Sequence, residues 1–220
     1  ERTRGLYNVG VEDGQRFRLE VDLPLKDDDW QIGLVVGPSG SGKSSILQEL
    51  VNKKGWREWL PQWSDQPIIE ETSLFAGDYA KATSALAAVG LGSVPSWLRP
   101  RDVLSMGEGF RADMAQLLLQ EDLKHLVVDE FTSVLDRQVA KVGAGAFAKQ
   151  WRRKPDRKII LFTCHYDVLE WVQPDWWIDT AEGLDEFDAD RGVVVARQGD
   201  FQATGHFAKH SRNWVATLEC

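Results

Sequence analysis

Residues 37–45 read Gly37-Pro38-Ser39-Gly40-Ser41-Gly42-Lys43-Ser44-Ser45, and Gly37 to Ser44 satisfies the pattern G-x-x-x-x-G-K-[ST] in full. An apolar run (Ile32, Leu34, Val35, Val36) leads in, and a helix-forming stretch from Ser45 to Asn52 leads out. That strand–loop–helix setting separates a phosphate loop from a Gly/Ser-rich turn that contains Lys-Ser by chance. Glycine lets the backbone curl until successive N–H groups converge on phosphate oxygens, and the N-terminus of the next helix adds a favourable dipole. Lys43 is then placed to reach the β- and γ-phosphates, and the Ser44 hydroxyl to complete a Mg2+ shell. The stretch predicts a nucleotide site from Gly37 to Ser45.

Further out, Phe17 to Leu23 alternates apolar and polar residues, the pattern of a half-buried antiparallel strand. Residues 32–36 read as a continuous buried strand, and the helix after the loop runs to about Lys54. Residues 55–77, rich in Trp, Pro and Gln, read as irregular. Helical spacing resumes from Asp78 to Val89, stops at Gly90 and Gly92, and yields to a loop through Pro95 and Pro100. Gly107 to Leu119 reads as a helix, Leu123 to Asp129 as a buried strand, Val134 to Arg152 as a long helix and Lys158 to Thr163 as a second buried strand. Val193-Val194-Val195 reads as a late strand. Apolar strands alternating with helices around a phosphate loop predict an α/β domain with a mostly parallel sheet. No repeat, low-complexity tract or linker divides the chain, so residues 1–220 are expected to form one domain.

A length of 220 residues suits one nucleotide-binding domain with a sizeable core. The net charge of −8 argues against a generally basic nucleic-acid surface. Arg152, Arg153, Lys154, Arg157 and Lys158 form the densest basic patch and read as a solvated helix end with its turn, which leaves nucleic-acid binding open. Asp27-Asp28-Asp29 lacks the alternate spacing of a calcium loop and reads as a solvated loop. Most of the ten tryptophans are expected in the core, while Trp171, Trp176 and Trp177 near Pro174 form a candidate partner-binding ridge. No apolar stretch approaches the ~20 residues that span a bilayer, so no membrane insertion is expected. No signal peptide opens the chain, and two cysteines, Cys164 and Cys220, suit a reducing cytoplasm. The start at Glu1 rather than Met reads as a piece of a longer protein.

The apolar residues 126–128 end in Asp129-Glu130. An aspartate at the C-terminal end of a strand beside a phosphate loop is positioned to hold Mg2+ through water, and Glu130 to orient or deprotonate an attacking water. Downstream lie Ser133-Val134-Leu135-Asp136 and, after the strand at 158–163, His165. Upstream lies Leu104-Ser105-Met106-Gly107-Glu108.

In this order the motifs resemble those of the ATP-binding cassette (ABC) ATPases: Walker A, an LSGGQ-type signature, Walker B ending in Asp-Glu, a D-loop and a switch histidine. The resemblance spans roughly residues 32–167. It implies a P-loop fold with an antiparallel β subdomain, here reduced, and a compact helical signature subdomain at about residues 70–120. It also implies that two copies face head to tail, each ATP held between one copy's Walker A and the other's signature. Glu130 and His165 are then the expected catalytic pair, with Asp136 supporting the contact between copies. Ser105 and the amides near Gly107 are expected to meet the partner's γ-phosphate. Met106 and Glu108 depart from the signature's first glycine and its glutamine, so slow turnover is expected. Gln62 is the Gln-loop candidate and, with Ser44 and Asp129, a candidate Mg2+ ligand; it lies closer to Lys43 than the family usually has, and Gln66 is a rival. Tyr7 and Phe17 are weak candidates for adenine stacking. His125, His206 and His210 lack a functional context, and Cys164 reads as a packing residue.

The shortened segments are those by which transporter cassettes grip membrane subunits, which favours a non-transporter, although transport stays an alternative. No heptad run supports an ABC protein with a long coiled coil. The wording from Val128 to Arg137 and from Thr163 to Trp171 is similar to a group of soluble prokaryotic and phage ABC ATPases fused to or found beside a predicted GNAT-type acetyltransferase. That likeness implies an attached or partner acetyltransferase-like domain outside the residues quoted. Two functions remain open: an ATPase that drives movement in such a domain, and a nucleotide-gated clamp with little turnover.

Overall fold

A computed structural model of the chain describes residues 20–21, 23–26, 29–181 and 193–194. Two-residue strand β1 (Glu20–Val21) pairs in parallel with β7 (Val193–Val194). This corrects the antiparallel strand expected at Phe17 to Leu23, of which the rest of the ladder lies outside the described residues. Tyr7, Phe17, His206, His210, Cys220 and Asp27-Asp28 also lie outside them.

The main sheet contains β2 (Ile32–Val36), β3 (Arg57–Glu58), β4 (His125–Val128), β5 (Lys158–Thr163) and β6 (Trp176–Asp179), in the order β3-β4-β5-β2-β6. Every pairing among the described residues is parallel. A parallel sheet needs cover on both faces, which is why β2, β4 and β5 read as unbroken apolar runs instead of alternating ones. Successive side chains go to opposite faces. Leu34, Leu126, Ile159, Leu161 and Trp177 join one buried cluster, and Val35, Val127, Ile160, Phe162 and Ile178 join the other. Each such aliphatic side chain contributes about 1.5–3 kcal/mol on leaving water.

Helix α1 (Lys43–Lys54) covers the second face through Ile46, Leu47 and Leu50. It stops at Gly55, left-handed at φ 74°, whose amide returns to the Leu50 carbonyl. The first face carries α2 (Ile68–Ala76), α3 (Tyr79–Ala88), the short α4 (Val94–Trp97) and α5 (Met106–Leu119), all inserted between β3 and β4. Helix α6 (Arg137–Trp151) packs beside α5, and the short α7 (Val168–Val172) follows β5. The fold is mixed α/β with a parallel core sheet, as expected, and no antiparallel pair occurs among the described residues.

Three expectations need correction. Residues 55–77 are not irregular throughout: they contain β3 and α2. Trp176 and Trp177 form no exposed ridge but lie in β6, 2% and 6% exposed. The indole of Trp176 occupies the space beside Gly33, where a Cβ would stand 2.1 Å from a ring carbon. Finally, the basic cluster is not simply a solvated helix end. Arg157 is buried, its guanidinium donating to the carbonyls of Leu117 and Leu118 at 3.0 Å and lying 4.0 Å over the Trp151 ring. Burial pushes its pKa down to about 10, which leaves it charged at neutral pH. Arg152 pairs with Asp175 and Lys154 with Glu121, so these cations already have acidic partners.

Candidate functional site

All strands of a parallel sheet point their C-terminal ends the same way, so the loops after β2, β4 and β5 share one edge. The loop after β2 is the predicted phosphate loop. Gly37, Gly40 and Gly42 adopt φ of 155°, 81° and 93°, conformations that L side chains rarely take. Gly42 caps α1 without any side-chain bond, and no acidic residue sits in the first turn. The first amides of α1 are therefore open to an anion. Pro38, Ser39, Gly40 and Ser44 are exposed, Ser45 is half-buried and Ser41 is buried. Lys43 is 9% exposed, its ammonium 2.7 Å from both the Gly37 and Pro38 carbonyls. The cation thus lies across the loop, its charge held by the loop's own backbone.

The next two loops are tied to this one through β5. The Gly37 amide donates to the Thr163 carbonyl at 3.3 Å, and the Phe131 amide to the Phe162 carbonyl at 2.8 Å. Phe131 is buried against Phe110 and Phe147, which anchors the turn and leaves the adjacent Glu130 exposed. Glu130 and Thr132 have φ of 50° and 65°. Such left-handed non-glycine residues cost on the order of 1–3 kcal/mol each and persist only where surrounding contacts enforce them. The Asp129 carboxylate accepts from the Glu130 amide at 2.9 Å through Oδ1, and no hydrogen bond to Oδ2 occurs among the described residues.

His165 stands two residues beyond β5. Its amide donates to the Thr163 hydroxyl at 3.2 Å, and its Nε2 lies 3.4 Å from the Ser133 carbonyl. Since a carbonyl only accepts, that contact calls for a proton on Nε2. The structure thus brings His165 to the turn that follows Glu130. Cys164 lies beside the same turn, its sulfur 3.8 Å from the Ser133 hydroxyl. Asp136 is the N-cap of α6 and accepts from the Gln138 and Val139 amides at 2.9 and 3.4 Å. Beside it, Arg137 binds the Asp167 carboxylate, donates to the Thr132 carbonyl at 3.3 Å and lies 4.7 Å over the Trp171 ring. The guanidinium holds Asp167 below the usual carboxylate range.

Ser105 is the N-cap of α5 in a reciprocal capping box with Glu108. Its amide and hydroxyl donate to Glu108 Oε2 at 3.1 and 2.7 Å, while the buried Ser96 hydroxyl donates to Oε1 at 2.6 Å. The expected donor at Ser105 is therefore engaged by Glu108. Met106 is 59% exposed beside it. Gly107 is set by close packing, since a Cβ there would stand 2.5 Å from the Val139 side chain in the first turn of α6. The start of α5 thereby abuts the helix capped by Asp136.

Gln62 is held by its backbone, which exchanges two hydrogen bonds, 3.0 and 2.7 Å, with the side chain of Gln116 on α5. It lines a cavity of about 390 Å³ with Trp63, Ser64, Glu71, Leu74 and Phe75, none of which belongs to the phosphate loop. Its rival Gln66 is exposed, and its side chain reaches only Asp65 at 3.4 Å. No cluster of three or more His, Cys, Asp or Glu residues suited to a metal occurs among the described residues.

No protein-family model matches the sequence, and no curated protein matches it. Solved structures do. One is cbiO1 from Clostridium perfringens, part of the ABC transporter complex cbiONQ, with a TM-score of 0.55 at 18% identity over 75% of this chain and 75% of that one. Another is MJ0796, a dimeric bacterial ABC transporter cassette, with a TM-score of 0.54 at 16% identity over 81% of this chain and 88% of that one. The chain has the fold of an ABC ATPase cassette.

One contributor to the predicted phosphate loop escaped the motif reading. Thr180, just past β6, is fully buried, hydrogen-bonds Ser41 through its hydroxyl and lies 2.0 Å from where a Gly37 Cβ would stand. The sequence signal is faint: a small polar residue following an apolar strand. No helix among the described residues is long and apolar enough to cross a membrane.

Proposed function

We propose that this chain is an ABC-type ATPase that binds Mg·ATP, closes head to tail with a second copy around two nucleotides, and couples hydrolysis to movement of an attached or partner domain. The single observation that carries this reading is the convergence of the phosphate loop, Asp129-Glu130 and His165 on one sheet edge, linked through β5 by the Gly37 and Phe131 amides.

In this reading the amides of Ser39, Gly40, Gly42, Lys43 and Ser44 receive the phosphates, and Lys43 exchanges its two carbonyl partners for β- and γ-phosphate oxygens. The Ser44 hydroxyl and the Asp129 carboxylate are hard oxygen donors that suit Mg2+, with Gln62 as a further candidate. The ion, when bound, offsets charge on the phosphates. Glu130, exposed beside that site, takes the proton of the attacking water. His165, with its Nε2 proton aimed at the turn after Glu130, holds that carboxylate and the γ-phosphate in line. A two-fold pairing completes both sites at once, each through the partner copy's signature. The acetyltransferase-like partner is the candidate for the moving domain.

A second reading, a nucleotide-gated clamp with little turnover, is favoured by one observation: the Ser105 hydroxyl is donated to Glu108. Steady-state ATPase and Mg·ATP binding assays separate the two. The ATPase reading expects wild-type turnover, a drop of about 10²–10⁴-fold in Glu130→Gln with binding retained, and loss of binding in Lys43→Ala. The clamp reading expects ATP-dependent pairing with negligible turnover. Both fail if the wild-type chain does not bind ATP, or if Lys43→Ala binds it equally well.

A further inference from the structure

The C-terminal end of β6 touches both walls of the proposed γ-phosphate site. In the parallel register Val36 faces Asp179, so Thr180 falls opposite the first residue of the phosphate loop. The Thr180 amide donates to the Val36 carbonyl at 2.8 Å, and its hydroxyl lies 3.2 Å from the same oxygen. That hydroxyl also pairs with Ser41, whose own oxygen is 2.8 Å from the Pro38 carbonyl. Both Thr180 and Ser41 are buried, at 0% and 2% exposure. One residue earlier, Asp179 Oδ1 accepts from the Tyr166 hydroxyl at 2.9 Å and from the Ala181 amide at 2.8 Å. Tyr166 directly follows His165.

We infer that Asp179 and Thr180 are positioning residues, Thr180 fixing the curl of the phosphate loop and Asp179 fixing the loop that carries His165. The inference rests on the ATPase reading of the same site. Two neighbouring residues of one strand end thereby set the spacing between the groups that hold the phosphates and the histidine that faces them. A loop curled in advance loses less freedom when nucleotide binds, so its benefit falls on affinity. The spacing to His165 matters once the water is in line, so its benefit falls on the chemical step.

The test uses the whole chain. Mg·AMP-PNP affinity is measured by calorimetry and the hydrolysis rate by single turnover with saturating Mg·ATP. Thr180→Val keeps the side chain's shape and removes its hydroxyl, and is expected to weaken nucleotide binding by about 5-fold or more, with the single-turnover rate little changed. Thr180→Ser restores the hydroxyl and is expected to return affinity to within about 2-fold of wild type. Tyr166→Phe is expected to slow the single-turnover rate while leaving affinity unchanged. Wild-type affinity in Thr180→Val, equal weakening in Thr180→Ser, or an unaltered rate in Tyr166→Phe overturns the inference while the ATPase reading stands. A wild-type chain that does not bind Mg·AMP-PNP overturns both.

Discussion

At Glu108 one carboxylate gathers the Ser105 amide, the Ser105 hydroxyl and the Ser96 hydroxyl. These donors, with the Ser96 hydroxyl foremost, hold its carboxyl down at about 2, against an ordinary 4.5. A carboxyl depressed on folding contributes stability that is whole above its unfolded pKa and is lost as pH falls through the folded one. Glu108→Gln should therefore melt below the wild type at neutral pH, and the gap should narrow between pH 4.5 and pH 2; thermal unfolding across that range checks it. A gap independent of pH would contradict a charged cap. Gly33 gives a second prediction at this scale. An added methyl meets the rigid ring of Trp176 rather than a flexible chain end, so Gly33→Ala should cost about 1–3 kcal/mol and lower Tm. An unchanged Tm would mean that β6 sits elsewhere.

Among the elements, α5 depends at its C-terminal end on a residue from another part of the chain. Arg157 donates to the carbonyls of Leu117 and Leu118 in the last turn of α5, where the Leu117 carbonyl also accepts from the Gln120 amide at 3.2 Å. Arg157→Met preserves the alkyl packing on Trp151 and removes both donors, so it should destabilise the fold by about 1–3 kcal/mol, read from denaturant unfolding. No change in midpoint would contradict that role. The same scale shows what the sequence made legible. Strands β2, β4 and β5 are buried on both faces and announce themselves as apolar runs; Asp78 and Ser105 mark the starts of α3 and α5 as caps. Helix α2 was hidden because Pro67 at its N-cap gives no side-chain cap to mark its start, and the apolar Leu74 and Phe75 are exposed near its other end. Strand β6 was hidden because its paired tryptophans resemble a surface ridge until Gly33 supplies a slot for one of them. Strand direction at β1 depends on a partner more than a hundred residues away, and alternation alone carries no direction. Of the candidate site, the motifs were readable because their geometry is local, and the Glu108 clasp on Ser105 has the equally local capping-box spacing S-x-x-E; the reach of Thr180 to Ser41 was not readable, because it joins side chains 139 residues apart.

For the whole molecule, the expected signature face comprises Ser105, the exposed Met106 and the start of α5 against α6. The proposal that two copies close around ATP makes each copy's site incomplete alone. Trapping the closed pair needs binding without turnover, which Glu130→Gln should provide. The most direct measurement is light-scattering sizing of Glu130→Gln with and without Mg·ATP. The account predicts a monomer without nucleotide and a dimer with it, the dimer lost when Lys43→Ala is added. A monomer in both conditions, with ATP binding verified in the same sample, would contradict it.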